Sequence, residues 1–402
     1  MPRYMSSKEA AAYLRVSLQT LYAYVSRGLL HAENGPGQRE SRYLATDVER
    51  LRDRKEKGRK PREVAKATLS FGLPVLESEI TLIENERLYY RGLDALEIAR
   101  THSVEEAAAH LWQCDISAFD RSAPSSDSSL LVVMDNFRGR RAEEVLLPLF
   151  TLASDDARTA LWQTSQQRLA EGSIDLVRIL AGCLLGTGPN AKPLHQQCAD
   201  VWGIDSRGAD LIRRALVLCA DHELNASSFT ARCVVSTGAS LRAGIIGGLA
   251  ALTGGRHGAT TARGEALWDE VVGDEMGTKI RQRLARGDDI PGFGHRLYPS
   301  GDVRAADLLA SMAPLDRDCQ ELIHHGHDLT GARPSIDFAL VALRRHLRLP
   351  LGAAFGVFAL GRSIGWIAHG LEQRRNPDII RPRAAYTGHI PSDVDPHYGV
   401  PR

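Results

Sequence analysis

A chain of 402 residues with 43% hydrophobic, 25% charged and 6% aromatic side chains is long enough for two or three domains and can bury a sizeable core. Its 36 Gly and 18 Pro follow no period and its six Cys are too few for a disulfide scaffold, which excludes collagen-like, low-complexity and disulfide-rich classes. Lys and Arg number 50 against 49 Asp and Glu, a formal charge of +1, but residues 1–66 hold 15 basic against 8 acidic groups (+7), leaving −6 on the rest.

The first residues, Met1-Pro2-Arg3-Tyr4-Met5-Ser6, lack the charged-then-apolar layout of a signal peptide. The longest apolar run, residues 349–361, is shorter than the roughly 20 residues that a membrane helix needs. None of the cysteines forms a C-x-x-C pair and most sit in apolar stretches, so buried thiols in a reducing compartment, the cytoplasm, are expected.

Ser6-Ser7-Lys8-Glu9 is a capping box that opens a helix with apolar positions Ala10, Ala11, Tyr13 and Leu14. After a turn at Arg15-Val16-Ser17, Ser17 caps a second helix over residues 18–27, stopped by Gly28. Gly/Pro turn chemistry at residues 34–38 and a short strand to Tyr43 then predict a hairpin wing, and Thr46-Asp47-Val48-Glu49 a further capped helix running into the basic residues 50–57. This order resembles the winged helix-turn-helix of excisionase and MerR-like DNA-binding families. The resemblance implies a second helix in the major groove, with Gln19, Thr20, Tyr22 and Tyr24 as base contacts and Arg39 and Arg42 on phosphates. A packing or dimer-contact module is the alternative, and residues 1–62 bound it.

From about residue 66 helical periodicity dominates, over 104–112, 174–185, 209–219, 229–252 and 355–371, so a mainly all-α body is expected. The glycines of Ala243-Gly244-Ile245-Ile246-Gly247-Gly248 each cost about 1 kcal/mol in a helix relative to alanine, which predicts close helix-to-helix approach there. Residues 117–141 read as an exposed loop or helix connection.

Polar groups that are costly to bury recur at the edges of these apolar helices: Asp221-His222-Glu223-Leu224-Asn225-Ala226-Ser227, Gly254-Gly255-Arg256-His257-Gly258, Pro291-Gly292-Phe293-Gly294-His295-Arg296-Leu297-Tyr298 and Pro334-Ser335-Ile336-Asp337. The histidines have no zinc-motif spacing, so no metal is expected, and the glycine-rich segments follow helices rather than the strand of a dinucleotide fingerprint. Arg362, within an apolar helix, implies an anionic partner. Asp221 and Glu223 read as local caps, Arg374, Arg375 and Arg383 as surface charges, and Arg296 and Tyr298 as lining of an entrance beside His295.

Together with Leu88-Tyr89-Tyr90-Arg91-Gly92, the His295 to Arg304 spacing of nine residues, Gly361-Arg362-Ser363-Ile364-Gly365-Trp366 and Ile380-Arg381-Pro382-Arg383, these segments resemble the citrate synthase family in order along residues 70–390. The resemblance implies large (66–257 and 346–402) and small (258–345) helical domains and a homodimer. The implied reaction condenses oxaloacetate with acetyl-CoA, a co-substrate, and hydrolyses the thioester; no permanently bound cofactor is implied. Asp337 would be the base, His257 a donor to the thioester carbonyl and His295 a donor to the ketone oxygen. His222, Arg304, Arg362 and Arg381 would hold the oxoacid, Arg381 coming from the neighbouring subunit. Arg256, Ala259, Val303 and Ser335 depart from the family's usual pattern. A 2-methylcitrate synthase using propionyl-CoA, and a DNA-binding regulator with a sensor body, are the alternatives.

Overall fold

The computed structural model describes residues 4–14, 16–26, 30, 32–34, 41–45, 47–48, 51, 76–125, 128–384 and 388–389. The chain divides into two units, Met1–Glu77 with Pro382–Arg402, and Ser78–Arg381.

In the first unit β1 (Tyr4–Ser6) leads into α1 (Ser7–Leu14) and α2 (Leu18–Ser26), followed by β2 (Ala32–Asn34) and β3 (Ser41–Leu44). The capping box forms: the Ser6 N–H and Oγ donate to the Glu9 carboxylate at 2.8 and 2.9 Å, and the Glu9 N–H donates to Ser6 Oγ at 3.3 Å. Ser17 Oγ caps α2 by accepting the Thr20 N–H at 3.2 Å. β2 and β3 pair antiparallel as the wing. β1 adds a third strand against β3, which three residues are too short to announce by alternation. Ala10, Leu14, Leu21, Leu30, Tyr43 and Val48 close a small core. Tyr22 and Arg42 are exposed, and Thr20 and Tyr24 are half-buried, Tyr24 packing partly against the core. The Gln19 side chain, Arg39, the Thr46 to Glu49 box as a whole and the basic run around Leu51 lie outside the described residues.

The second unit opens with the hairpin of β4 (Thr81–Glu84) and β5 (Arg87–Tyr90), joined by Asn85 and Glu86 at φ 50° and 60°, the left-handed pair that a two-residue primed turn needs. β6 (Leu93–Asp94) completes this sheet. The described helices that follow are α3 (Ala95–Thr101), α4 (Val104–Trp112), α5 (Ser128–Asp135), α6 (Ala142–Ala153), α7 (Gln166–Leu185), α8 (Leu194–Trp202), α9 (Ser206–Cys219), α10 (Ala226–Ser236), α11 (Leu241–Leu252), α12 (Thr260–Val271), α13 (Met276–Ala285), α14 (Val303–Ser311), α15 (Arg317–Thr330), α16 (Ile336–His346) and α17 (Ala353–Gln373). The periodic stretch 229–252 is two helices: Gly238 takes φ 87° and Ser240 caps α11 through the Ala243 N–H. The polar stretch 117–141 includes part of a short 3-10 helix, Ile116–Phe119, and all of α5.

α17 is the axis of this body. Residues 353–370 are all buried, as a helix packed on every side must be, with α9, α10, α11 and α16 around it. Small residues permit that crowding: a Cβ on Gly248 of α11 would lie 2.6 Å from the Trp366 ring, and one on Gly361 would lie 2.6 Å from the Leu216 carbonyl of α9. A Cβ on Gly365 would strike the Ala220 carbonyl and the Asp221 carboxylate. Gly365→Ala is therefore expected to cost about 1–3 kcal/mol or more of stability by overpacking, read as a lowered urea midpoint. An unchanged midpoint would mean that α9 and α17 can separate freely.

Candidate functional site

The connection from α9 to α10 carries Asp221, His222 and Glu223. Asp221 is fully buried and accepts from Thr81 Oγ1 at 2.6 Å and from His369 Nε2 at 3.2 Å to Oδ1. Burial works against its charge, but His369 and Arg362 hold its carboxyl below the usual range. Glu223, at φ 50°, accepts the Ile83 N–H of β4. Neither is the helix cap that its local sequence suggests. Asn225 caps α10, its Oδ1 accepting the Ser227 and Ser228 N–H groups at 3.2 Å each.

His222 lies edge-on to His295, with ring centroids 5.0 Å apart, and its Nε2 is 3.1 Å from the Tyr298 hydroxyl. Tyr298 is 1% exposed, so it is a core residue and not lining of an entrance. His295 Nδ1 accepts the Leu297 N–H at 3.2 Å, which in the neutral ring leaves the proton on Nε2. Burial and the Arg304 charge lower both imidazoles, His295 to about 4 and His222 well below its ordinary value, so both are neutral near pH 7.

Residues 291–302 and the start of α16 are clamped together. Phe293 bridges Pro334, the Gly294 N–H donates to the Arg333 carbonyl at 2.8 Å, and the Ser335 N–H to the Gly292 carbonyl at 2.7 Å. Gly292 sits at φ 90° against Phe338, where a side chain is doubly excluded. Asp302 joins both halves: it accepts the Ile336 N–H at 2.9 Å and takes Arg304 in a two-pronged bond, Nε at 2.9 Å and Nη2 at 2.8 Å. Arg304 is 2% exposed, and Asp302 keeps it charged against the cost of burial.

Asp337, in the first turn of α16, has Oδ1 sealed from solvent without a hydrogen-bond partner. Ser335 Oγ lies 3.4 Å from its Oδ2. Burial pushes its carboxyl up to about 6, with the Asp302 charge adding to the rise and Arg304 opposing it.

His257 stands in the turn between α11 and α12, its N–H donating to the Gly254 carbonyl at 2.9 Å. Its Nε2 is 2.8 Å from Ser227 Oγ, and burial together with Arg362 lowers it to about 4. Arg362 reaches in from α17, 1% exposed, with Cζ 4.9 Å from the Phe358 ring centroid. Its Nε donates to the Cys219 carbonyl at 2.7 Å, and among the described residues no acceptor meets its two terminal nitrogens. Burial lowers its affinity for the proton while Asp221 opposes that.

The tertiary structure thus links these groups through the two arginines: Arg304 acts on His222, His295 and Asp337, and Arg362 on His222 and His257. Arg381 is not gathered: it is exposed on the segment after α17, with no hydrogen bond or ion pair among the described residues. Arg374 is no free surface charge, since it donates to the carbonyls of Thr159, Ala160, Leu161 and Gln163. Ser227, Asp302 and His369 are the participants without a role assigned from the sequence, while Tyr298 and Asp221 depart from the entrance lining and local cap that it suggests. Only Asp302, two residues before Arg304 at a helix cap, has a local signal. Among the described residues no group of three or more His, Cys, Asp or Glu is arranged to hold a metal ion, and no helix is long and apolar enough to cross a membrane.

Comparison with known proteins agrees with this architecture. The family model for the citrate synthase C-terminal domain matches residues 69–383, and one for a helix-turn-helix domain matches residues 4–56. A putative citrate synthase 2 of Mycobacterium tuberculosis is 32% identical over 259 residues, 58% of this chain and 69% of that protein. A 2-methylcitrate synthase 2 of Corynebacterium glutamicum is 28% identical over 326 residues, 76% of this chain and 79% of its own length. The fold matches that of citrate synthase from Thermotoga maritima with TM-score 0.65 at 24% identity, covering 81% of this chain and 96% of that one. It matches equally, at 21% identity and covering 81% and 97%, the Thermoplasma acidophilum citrate synthase solved with carboxymethyl coenzyme A and oxaloacetate.

Proposed function

Since the chain belongs to the citrate synthase family, we propose that it condenses oxaloacetate with acetyl-CoA and water to give citrate and CoA. The observation that carries this is the convergence of three neutral imidazoles, a carboxylate tuned to about 6 and two buried guanidinium groups on one site. Asp337 removes a proton from the thioester methyl, and its raised proton affinity suits a base working near neutrality. His257 donates to the thioester oxygen as the enolate develops, its ring held in place by Ser227 Oγ at 2.8 Å from Nε2. The enolate carbon attacks the ketone carbon, and the His295 Nε2–H donates to the ketone oxygen that becomes the product hydroxyl. Water then cleaves the thioester and releases CoA.

In this reading the segment 258–345, which carries His295, Arg304 and Asp337, is the small domain that closes on the oxoacid. Arg381 serves the partner protomer of a homodimer, in keeping with its lack of partners within its own chain. Propionyl-CoA is the second candidate donor, favoured by the likeness to a 2-methylcitrate synthase over 79% of that relative. The first unit, with its exposed Tyr22 and Arg42, presents a DNA-binding surface.

A thiol-release assay with oxaloacetate and either acyl-CoA tests the reaction. Release with neither donor from folded, dimeric protein would overturn it. Arg362→Met is expected to raise the KM for oxaloacetate about 10- to 100-fold, the worth of charge-assisted hydrogen bonds to a carboxylate. Its urea midpoint should fall less than that of Arg304→Met, because among the described residues its terminal nitrogens meet no acceptor and only the Cys219 bond and the longer-range support of Asp221 are lost. An unchanged KM would remove Arg362 from the oxoacid site.

A further inference from the structure

We propose that Tyr298 is a positioning residue that sets the tautomer of His222, its hydroxyl donating to His222 Nε2 so that His222 offers an Nδ1–H to an anionic oxoacid. The two atoms are 3.1 Å apart, and the bond could in principle run either way. The surroundings decide its direction. The phenol is buried, and its single hydrogen bond among the described residues is the one to His222. Were the imidazole the donor, the hydroxyl proton would be stranded in the core without an acceptor.

With the phenol as donor every buried proton is used. The His222 ring also hydrogen-bonds its own backbone, which favours a ring proton, and its Nδ1 is not among the side-chain atoms sealed from solvent without a partner. Burial pushes the Tyr298 hydroxyl up to about 12, so it keeps its proton at any working pH. The Arg304 guanidinium lies 5.6 Å from the Tyr298 ring centroid, and the His295 ring 5.0 Å from it. The phenol is thereby held between the two groups that share the site with His222. The turn 295–298 then determines both tautomers: its Leu297 N–H leaves the His295 proton on Nε2, and its Tyr298 hydroxyl leaves the His222 proton on Nδ1.

The tautomer assignment is independent of the reaction, whereas its use in binding rests on the oxoacid reading above. Nitrogen-15 spectra of the unaltered protein, with the His222 signals assigned by their loss in His222→Gln, read the tautomer directly. Nε2 without a proton and Nδ1 with one is the expected result; the opposite pattern would overturn the proposal even if condensation is confirmed. In Tyr298→Phe the two His222 tautomers should become mixed, and the KM for oxaloacetate should rise about 5- to 10-fold, with that for acyl-CoA unchanged. A single His222 tautomer retained in Tyr298→Phe, or equal rises in both KM values, would assign Tyr298 a packing role only. Should the protein release no CoA at all, the spectra still decide the Tyr298 bond, and oxaloacetate titration by calorimetry replaces KM.

Discussion

Asp337→Asn is expected to lower kcat about 10²- to 10⁴-fold while leaving oxaloacetate affinity within a few-fold of its original value. Asparagine keeps the shape and the contact to Ser335 but cannot accept a proton from a thioester methyl. The structure makes this the most sensitive position because among the described residues no other carboxyl of the site is left unpaired: Oδ1 is buried with no partner, while Asp302 is committed to Arg304. In the free enzyme kcat/KM should fall as pH drops through about 6, since below that value Asp337 carries the proton that it must be free to accept. His257 and His295, both lowered to about 4, stay neutral across that range and contribute no limb of their own above it. Steady-state rates from pH 5 to 8 on both proteins check this. A limb near 6 that survives in Asp337→Asn would assign it to another group.

Arg304→Met is expected to destabilise the protein by about 3–5 kcal/mol, in contrast to Arg362→Met. Both arginines are buried in the same site, and by sequence alone both read as substrate clamps. The difference lies in their partners. Arg304 neutralises Asp302, which is inaccessible and also holds the N-termini of α14 and α16, so removing the guanidinium strands a buried carboxylate. Adding Asp302→Asn should recover part of the loss, and urea titrations of the two single variants and the double variant form the cycle that measures it. The pH dependence has a definite sign. The Asp302 pKa is depressed in the fold, against the pull of burial, chiefly by Arg304. Its contribution is therefore present above the unfolded carboxylate value and is lost as pH falls through the folded one, so the deficit of Arg304→Met should narrow in acid. A deficit below 1 kcal/mol at neutral pH would mean that water reaches Asp302.

Local chemistry was legible where one stretch of chain contains both partners. The Ser6 and Glu9 box and the Ser17 cap each need residues three apart, and each forms as spelled. The break between α10 and α11 was legible too, in Gly238 and Ser240, but the apolar period running through it masks the signal. Asp221 was misleading for the opposite reason: its spacing fits a cap, yet its partners, Thr81 and His369, are 140 and 148 residues away.

By itself the sequence determined the helical class of the body, the separate basic module and the family, and it pointed to the candidate acids, bases and cations of the site. Those properties reside in residue type, spacing and order. Only the tertiary structure decided which cation is already paired, which groups face each imidazole and how far the Asp337 carboxyl is raised. These depend on burial and on partners brought in from distant segments: Tyr298 on His222 across 76 residues, Ser227 on His257 across 30 and Arg362 on the Cys219 carbonyl across 143. Desolvation and hydrogen bonding act through distances in space, and no pattern along the chain encodes them.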